Sequence, residues 1–458
     1  MFKAAPTLAV LVVAMAAAIF FAPPPAGLSS ATMHAAGLVV LAIGLWAFHL
    51  LPEHITGLIF MALAALLAVA PPHVVFSGFA SATMWLVFGG LFIAEAVRST
   101  GLGERLARLL LDRYTSSYLS ALVGVSVVVT LLAFLMPATI GRVLLVVPIV
   151  CALAARMGFE PASRGYNGLL LCAIMTTYHS GTGILPANAP NLVLAGAAET
   201  LYGLEIIYAE YFLVQFPVMA LLKLGVSVGI LMWVFPAQPK PVPTTTPLSP
   251  MTADERRLSL ILIVAILFWA TDFIHHIKAG WIALVAGLLC MMPRVGVIPM
   301  SAFNDRIRFG PFFYVASILG LGSVMTEAGL TKAIGDMLIG ALDVATGADA
   351  VNFGKLVAMS TLTGVITTNP AQPALLAPLA AHFAEATGWP IKAVLMTMAI
   401  GYSTMLLPHM VPPVVVGFQV AGIKFRDAMR FVVPMALVSL VVLVPLDYLW
   451  WRIIGFLG

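Results

Sequence analysis

The strongest constraint on this chain is a succession of apolar runs, each about as long as a membrane span. Runs on the order of 20 residues lie near residues 5–22, 33–50, 54–70 and 79–97, and similar runs continue to the end. Of the 458 residues, 61% are hydrophobic and only 9% are charged, whereas about 25% of the residues in a soluble domain are charged. The pattern excludes a soluble globule and predicts an all-α polytopic membrane protein.

Composition and motifs also narrow the function. The formal net charge of +4 comes without a basic run or an aromatic-basic pattern, so no nucleic-acid partner is expected. Cys151, Cys172 and Cys290 stand singly in apolar runs and are expected to be small core side chains. The sequence contains no HExxH and no paired intramembrane Asp. An enzyme is therefore not expected, and lipid and small solutes remain as partners.

Two short polar breaks interrupt the apolar sequence, at residues 136–142 (MPATIGR) and 367–373 (TTNPAQP). Each break lies between two apolar runs, so each predicts the tip of a re-entrant helical hairpin, at residues 117–156 and 353–387. Pro, Gly and unpaired backbone at membrane depth are tolerated only where they face protein or a water-filled cavity. The two tips are therefore expected to line a binding site.

The two halves of the chain share one layout, on either side of a Pro/Thr-rich linker at residues 236–257. Residues 99–103 (STGLG) correspond to residues 327–331 (EAGLT), and each stretch precedes a hairpin tip and then a Pro. Such recurrence indicates an internal repeat. We expect about 11 transmembrane helices plus two re-entrant hairpins in two inverted repeats, an arrangement common in secondary transporters.

The distribution of Lys and Arg predicts the orientation of the chain in the membrane. With a cytoplasmic N-terminus, one side holds most of the cations: Arg98, Arg105, Arg108, Arg113, Arg156, Arg164, Lys240, Arg256, Arg257, Arg294, Arg306, Arg308, Lys424, Arg426 and Arg430. The linker is then cytoplasmic and the C-terminus lies outside, in the cell inner (plasma) membrane. The first apolar run is expected to be a retained helix rather than a cleaved signal peptide.

The ordered motifs carry a family resemblance that covers nearly the whole chain. The first tip has residues 138–140 (ATI), ten positions before Pro148, and the second has residues 368–370 (TNP), ten before Pro378. The helix breaks read GTG and APN at residues 181–183 and 189–191, and ST and PPV at 403–404 and 412–414. In this order they resemble the divalent anion:sodium symporter family of the ion transporter superfamily, whose tips carry Ser-Asn-Thr and whose breaks end in Pro-Pro-Asn.

The resemblance implies a homodimer in which a transport domain moves against a scaffold as an elevator. The scaffold would comprise residues 1–113 and 258–349, and the transport domain residues 114–235 and 350–458. The implied function is secondary active transport of small divalent or multivalent anions, such as dicarboxylates, tricarboxylates, sulfate or sulfonates. Most members of the family use sodium, and some are sodium-independent exchangers.

The resemblance also implies the positions of the sodium sites. The second tip offers oxygen ligands from Thr368 and Asn369 and from backbone around Gly364 and Thr367, with Ser403 and Thr404 in the facing break. At the first site the break supplies Gly181, Thr182 and Gly183. Its tip, however, carries Ala138, Thr139 and Ile140 instead of Ser-Asn-Thr, and Phe134 stands one turn earlier, so this sodium site is doubtful.

Arg142 is the second departure from the family pattern. A charged residue at membrane depth is costly and marks a functional candidate, and a guanidinium suits a carboxylate or sulfonate. We expect Arg142 to replace the first sodium ion as counter-charge to the substrate; the alternative is that it snorkels or pairs structurally. The substrate-binding residues predicted from the tips and breaks are Ala138, Thr139, Arg142, Asn188, Asn191, Thr368, Asn369 and Gln372.

Three further polar residues lie inside or beside apolar runs. Lys223 is expected to pair structurally or to snorkel, and His179 and His409, beside the two breaks, are expected to be satisfied polar groups rather than proton carriers. The leading prediction is transport coupled to sodium through the second tip. A sodium-independent exchanger or uniporter that relies on Arg142 is the alternative, and an anion channel is a remote one.

Overall fold

The computed structural model describes residues 5–48, 50–111, 114, 116–136, 139–240 and 249–457. All regular elements in these ranges are helices, as predicted. The first half comprises α1 (Ala5–Phe21), α2 (Ser30–Ala47), α3 (Glu53–Leu66), α4 (Pro72–Val75), α5 (Ala82–Thr100), α6 (Leu102–Leu111), α7 (Tyr118–Leu135), α8 (Thr139–Arg156), α9 (Arg164–Thr182), α10 (Ala189–Tyr202), α11 (Tyr208–Phe216) and α12 (Lys223–Val234).

A further series of helices makes up the second half. It comprises α13 (Ala253–Ala270), α14 (Asp272–His275), α15 (Ala279–Leu289), α16 (Ala302–Asp305), α17 (Gly310–Glu327), α18 (Leu330–Leu342), α19 (Asp349–Ile366), α20 (Ala371–Leu376), α21 (Ala380–Thr387), α22 (Ile391–Ser403), α23 (Pro412–Ala421), α24 (Phe425–Val438) and α25 (Val444–Ile453). Short 3₁₀ turns lie at Ser77–Ala80, Leu185–Ala187, Ala377–Leu379 and Pro408–Met410, and π-helices lie at Pro217–Leu222 and Ser439–Leu443.

Glycines with positive φ stand at matching points of the two halves. Gly101 (φ 75°) separates α5 from α6, and Gly329 (φ 73°) separates α17 from α18. Gly203 (φ 62°) follows α10, and Gly422 (φ 67°) follows α23. The left-handed conformation ends a helix and favours glycine because it carries no Cβ. The matching stops support the repeat that was predicted from the sequence.

Six described helical segments are long and apolar enough to cross a membrane, or eight if each of two bent helix pairs is one span. The predicted count of eleven spans stays a prediction, because breaks divide several apolar runs into helices shorter than a bilayer. At the second tip the chain turns by 120° between Asp349–Ile366 and Ala371–Thr387. This is the reversal that the predicted hairpin requires, and the first tip likewise joins two separate helices, α7 and α8.

The start of α13 differs from the prediction. Helix α13 begins at Ala253, whereas the apolar run was expected to begin near residue 258. Thr252 Oγ1 accepts from Glu255 N at 3.2 Å, and the Glu255 carboxylate accepts from Thr252 N at 2.7 Å. This capping box starts the helix in polar sequence, inside the predicted linker. Residues 241–248 of the linker lie outside the described residues.

The helices pack in two groups. In one group α5 packs against α15 and α3 packs against α17; in the other, α9 contacts α7, α8 and α12, while α22 contacts α19 and α23 contacts α8. Glycines bring α5 and α15 close together: a Cβ on Gly287 would lie only 2.8 Å from the Gly89 carbonyl oxygen. Small residues permit such contacts between membrane helices. Helix α10 contacts members of both groups, namely α5, α17 and α22.

Candidate functional site

A cavity of about 610 Å³ lies between the two polar breaks and helices α3, α5 and α17. Its volume is in the range of small-molecule sites. Most of the wall is apolar, and the polar side chains around it are Glu53, His54, Thr139, Tyr178, Asn188, Arg308, Tyr314 and Asn369. Three of these, Thr139, Asn188 and Asn369, were predicted to bind substrate. The structure therefore brings both tips and the first break to one chamber.

Three helices begin at the cavity wall. Thr139 and Ile140 are the first residues of α8, Ala189 and Pro190 are the first of α10, and Pro412 and Pro413 are the first of α23. The N-terminus of a helix carries the positive end of the helix dipole and favours a bound anion. The helices that follow the first tip and the two breaks thus direct positive potential toward the same chamber.

The first break is held together by polar side chains. Thr139 Oγ1 donates to the Ala187 carbonyl or to Asn188 Oδ1, each at 3.2 Å. Asn191 Nδ2 donates to the carbonyl oxygens of Gly181 and Ile184, each at 2.9 Å. Asn191 is fully buried and closes the unwound backbone between α9 and α10. Its predicted role in substrate binding becomes a structural one in this conformation, because it does not line the cavity.

Arg142 is fully buried and lies behind Thr139 rather than on the cavity wall. Its Nη1 donates to the Met136 carbonyl, and its Nη2 donates to Thr139 Oγ1 at 3.3 Å and to the Thr177 carbonyl at 3.4 Å. No acidic side chain among the described residues pairs with it, and its Nε has no hydrogen-bond partner there. The alternatives of snorkelling and of structural pairing with a carboxylate therefore do not describe this Arg.

Gly181 makes the position of Arg142 possible. A Cβ on Gly181 would lie 2.6 Å from Arg142 Nη2, closer than a side chain can approach without displacing the guanidinium. The guanidinium thus lies beside the first break, next to the residues of the doubtful sodium site predicted from the sequence, Gly181, Thr182 and Gly183. The Thr182 hydroxyl donates to the His179 carbonyl at 2.8 Å. Ala138 of the first tip lies outside the described residues.

At the second break a buried network joins the tip to the unwound helix. Asn369 Nδ2 donates to the Tyr178 hydroxyl and, at 2.5 Å, to the Tyr402 carbonyl. The Tyr178 hydroxyl donates to the same carbonyl, and Asn369 N donates to the Met410 carbonyl at 2.9 Å. Tyr178 and Asn369 both line the cavity. Tyr178 links the first broken helix to the second tip.

The residues predicted to bind the second sodium ion lie close together and are all buried. Thr367 Oγ1 donates to the Thr363 carbonyl at 2.8 Å, and Ser403 Oγ and Thr404 Oγ1 donate to the Ile400 carbonyl at 2.8 and 3.1 Å. Gln372 Nε2 donates to the Ser360 carbonyl at 2.7 Å, beside Gly364, where a Cβ would collide with the Gln372 amide. Asn369 Oδ1 and Gln372 Oε1 have no partner among the described residues.

Lys223 occupies a place that the sequence did not suggest. Its side chain is buried, and its Nζ donates to the Ser403 carbonyl at 2.6 Å. It therefore does not snorkel to a surface. The position of this ammonium resembles that of Arg142, because each cation donates to carbonyl oxygens where a broken helix unwinds. The two residues are more than 80 positions apart in the sequence, so only the fold relates them.

The two histidines differ in surroundings. His179 is buried, and its Nδ1 lies 3.2 Å from Ser227 Oγ. His409 is exposed, and its Nε2 lies 3.0 Å from the Val365 carbonyl oxygen. Both have polar neighbours, which agrees with their expected structural roles.

The scaffold side of the cavity was not predicted to bind substrate. His54 lies in the first turn of α3, Arg308 lies just before α17, and Tyr314 lies within α17. All three line the cavity, and Arg308 is exposed at its edge. No motif marks them, although an Arg two residues before the Gly-Pro pair that opens an apolar run is a signal that the sequence does contain.

This arrangement of breaks and converging helix ends around one chamber is that of a membrane transporter. The family model described as "Sodium:sulfate symporter transmembrane region" matches residues 3–457. The chain belongs to this family, which is the divalent anion:sodium symporter family that its motifs resemble, and it is an anion transporter of that family.

Curated relatives and a solved structure agree with the assignment. A membrane protein of Cupriavidus necator is 24% identical over 461 residues, covering 94% of this chain and 90% of that protein. The L-tartrate/succinate antiporter of Escherichia coli is 23% identical over 397 residues, covering 82% and 80%. The YdaH transporter of Alcanivorax borkumensis matches in fold with a TM-score of 0.56, at 15% identity, over 99% of this chain and 98% of that one.

Proposed function

We propose that this protein is a sodium-independent secondary transporter of small dicarboxylate-type anions. The observation that carries the proposal is the pair of buried cations, Arg142 and Lys223, that donate to backbone carbonyls of the two helix breaks.

An anionic substrate fits the chamber because fixed groups of the protein give the chamber a positive potential. The N-termini of α8, α10 and α23 face it, and Arg142 lies one hydrogen bond behind Thr139. Asn188 Nδ2, which has no partner among the described residues, can donate to a carboxylate oxygen directly, and the Thr139 hydroxyl can do so by turning from its present acceptors. A cavity of about 610 Å³ accommodates a four-carbon dicarboxylate such as those named for the E. coli relative.

Sodium is disfavoured at the first break by Arg142. The oxygens that surround the guanidinium beside the predicted site, namely the carbonyls of Met136 and Thr177 and the hydroxyl of Thr139, already accept from it. A second cation at this position would also be repelled by the buried positive charge, because charges interact strongly where water is excluded. Arg142 would thus supply permanently the charge that sodium brings to other members of the family.

Sodium is disfavoured at the second break for the same reason. The Ser403 carbonyl accepts from Lys223, and the Tyr402 carbonyl accepts from Asn369 and Tyr178. The hydroxyls of Ser403 and Thr404 donate to the Ile400 carbonyl and keep their lone pairs, so the positive charge of Lys223 is what opposes a metal ion here.

A sodium-coupled transporter is the second candidate, and one observation favours it. Asn369 Oδ1 and Gln372 Oε1 are buried and have no partner among the described residues, so each could accept from a substrate group or coordinate a cation. These two oxygens alone make a sparse site. We therefore place the sodium-coupled mode second.

For the mode of transport we propose an elevator in a homodimer. The cavity lies where helices of the predicted scaffold, α3, α5 and α17, face the predicted transport helices. A sliding movement at this boundary would carry tips, breaks and substrate together. If the orientation predicted from Lys and Arg holds, Arg308 marks the cytoplasmic edge of the cavity, and the conformation is inward-facing.

A thermal-shift screen of the purified protein tests the proposal. The panel contains succinate, L-tartrate, citrate, sulfate and a sulfonate, each in sodium chloride and in potassium chloride. A bound ligand raises apparent stability by mass action. We expect stabilisation by dicarboxylates of equal size in the two salts. Stabilisation by none of these anions would refute the substrate class, and stabilisation only in sodium would refute sodium independence.

A further inference from the structure

Two buried groups of opposite charge lie on the two membrane segments that contain π-helices. Lys223 follows directly on the π-helix Pro217–Leu222, and Asp447 lies four residues after the π-helix Ser439–Leu443. Their exposed fractions are 1% and 0%. A π-helix inside a longer helix is uncommon and occurs often at functional sites. The corresponding spans of the two halves thus carry the same irregularity and one charged group each.

Asp447 points into the protein, although its helix also faces lipid. Val444, Asp447 and Trp451 form the buried face of α25, while Leu449 and Ile453 are exposed. The helix packs against α19 of the second hairpin and against the π-helix of the first half. The carboxyl group is therefore placed between the hairpin and the segment that carries Lys223.

Neither carboxyl oxygen of Asp447 has a hydrogen-bond partner among the described residues. Lys223 is within electrostatic range of it, but the Lys223 ammonium donates to the Ser403 carbonyl instead. An ionised, unpartnered carboxylate in the protein interior costs several kcal/mol. In such an environment an ionised Asp would be expected to attract a neighbouring ammonium into direct contact. The observed geometry is the one that a neutral, protonated carboxyl group permits.

We propose that Asp447 is a proton-binding site, and that the ion carried through this transporter's cycle is a proton. A metal ion suits the position poorly, because Lys223 repels a second cation and no group of three or more His, Cys, Asp or Glu side chains suited to a metal lies in the described residues. This inference rests on the proposed function, since a coupling proton has meaning only in a transporter.

No other charged group competes for Asp447 in the described structure. On α19, Asp349 pairs with Arg452 and with the Trp389 indole, and Lys355 donates to the Asp343 carbonyl. The π-helix of the first half carries no titratable side chain. The titratable groups carried by the packed elements are Lys223 on α12, His179 and Tyr178 on α9, Tyr211 on α11, Tyr402 on α22, Asp427 and Arg430 on α24, and Tyr448 and Arg452 on α25 itself.

Lys223 connects the proton site to the second break. With Asp447 neutral, the ammonium stays on the Ser403 carbonyl, next to the Tyr402 carbonyl that holds Asn369 and Tyr178 at the cavity. When Asp447 releases its proton to water, the new negative charge attracts Lys223 away from Ser403. The second break then loses a donor. Proton binding at Asp447 and substrate binding at Asn369 are coupled through this one side chain.

Infrared difference spectroscopy of the purified full-length protein in lipid vesicles, titrated over pH without any substrate, tests the proton site. We expect a protonated-carboxyl band that disappears as the pH rises, is absent from Asp447→Asn and is shifted in Asp447→Glu. Asp349→Asn, which removes an ion-paired surface carboxylate, is the matched control and should keep the band. A spectrum of Asp447→Asn identical to that of the unchanged protein at every pH would overturn the proposal.

Transport supplies the second measurement, with labelled succinate as the probe in proteoliposomes. We expect an inward proton gradient to accelerate uptake at least several-fold, and Asp447→Asn to lose this acceleration while keeping succinate exchange. Acceleration unchanged in Asp447→Asn would overturn the coupling. Absence of succinate uptake under all conditions, together with a titrating Asp447 band, would instead refute the proposed function and leave the proton site standing.

Discussion

Replacing Arg142 by Met should weaken anion binding about 100-fold. Arg142 Nη2 lies 3.3 Å from Thr139 Oγ1, and an anion oxygen bound by that hydroxyl would lie about 2.8 Å further on, so roughly 6 Å separates the two charges. At an effective dielectric constant of about 20, one pair of unit charges at this separation contributes about 2.8 kcal/mol. Each 1.4 kcal/mol corresponds to a factor of ten in affinity.

Met is chosen because it keeps much of the length of the side chain and removes only charge and donors. Arg142→Lys is the matched control, since it retains the charge and should recover most of the affinity. The assay is direct binding of labelled succinate to purified protein, with the expression and melting temperature of each variant recorded. A succinate affinity for Arg142→Met within threefold of the unchanged protein would refute the role of this charge.

Three further predictions concern the surroundings of the site. Gly181→Ala should displace the Arg142 guanidinium, destabilise the protein by about 1–3 kcal/mol and weaken succinate binding. Gly225→Ala is the control, because its added Cβ meets nothing within 4 Å, and it should have none of these effects. Thermal melting and succinate binding are the measurements. Tyr178→Phe should remove the bonds to Asn369 and the Tyr402 carbonyl and cost about 1–3 kcal/mol, and an unchanged melting temperature would contradict that network. The Arg105 guanidinium, which donates to Glu255 at 2.6 Å, holds the pKa of Glu255 below its usual range. The resulting stability is present at neutral pH and lost as the pH falls through the lowered pKa, so the melting temperatures of Glu255→Gln and the unchanged protein should converge in acid.

Much of the fold could be predicted from the sequence because lipid imposes strong rules on it. Apolar runs of span length, Gly and Pro at the breaks, and the recurrence around Gly101 and Gly329 all reflect local requirements. The start of α13 was missed because Thr252 and Glu255 form a capping box in polar sequence, which extends the helix beyond its apolar part. The π-helices could not be predicted, since the backbone near Pro217 and Pro434 can adopt several local conformations.

The site could be predicted only at residues that are unfavourable on their own in an apolar run. Arg142 could be identified because a cation inside an apolar hairpin is costly. Thr139, Asn188 and Asn369 could be identified because they lie in the breaks. The partner of Lys223 could not be predicted, since the Ser403 carbonyl lies 180 residues away. Tyr178, Tyr314 and Arg308 were missed because pairing of the two halves alone brings them to the cavity.

In the proposed mechanism, buried Arg and Lys side chains take the place of sodium ions. Succinate exchange in proteoliposomes tests this substitution, with all sodium on both sides replaced by potassium or choline. We expect the same exchange rate in the three salts, with Arg142→Met impaired in each. A tenfold or greater fall in the exchange rate of the unchanged protein when sodium is removed would refute it.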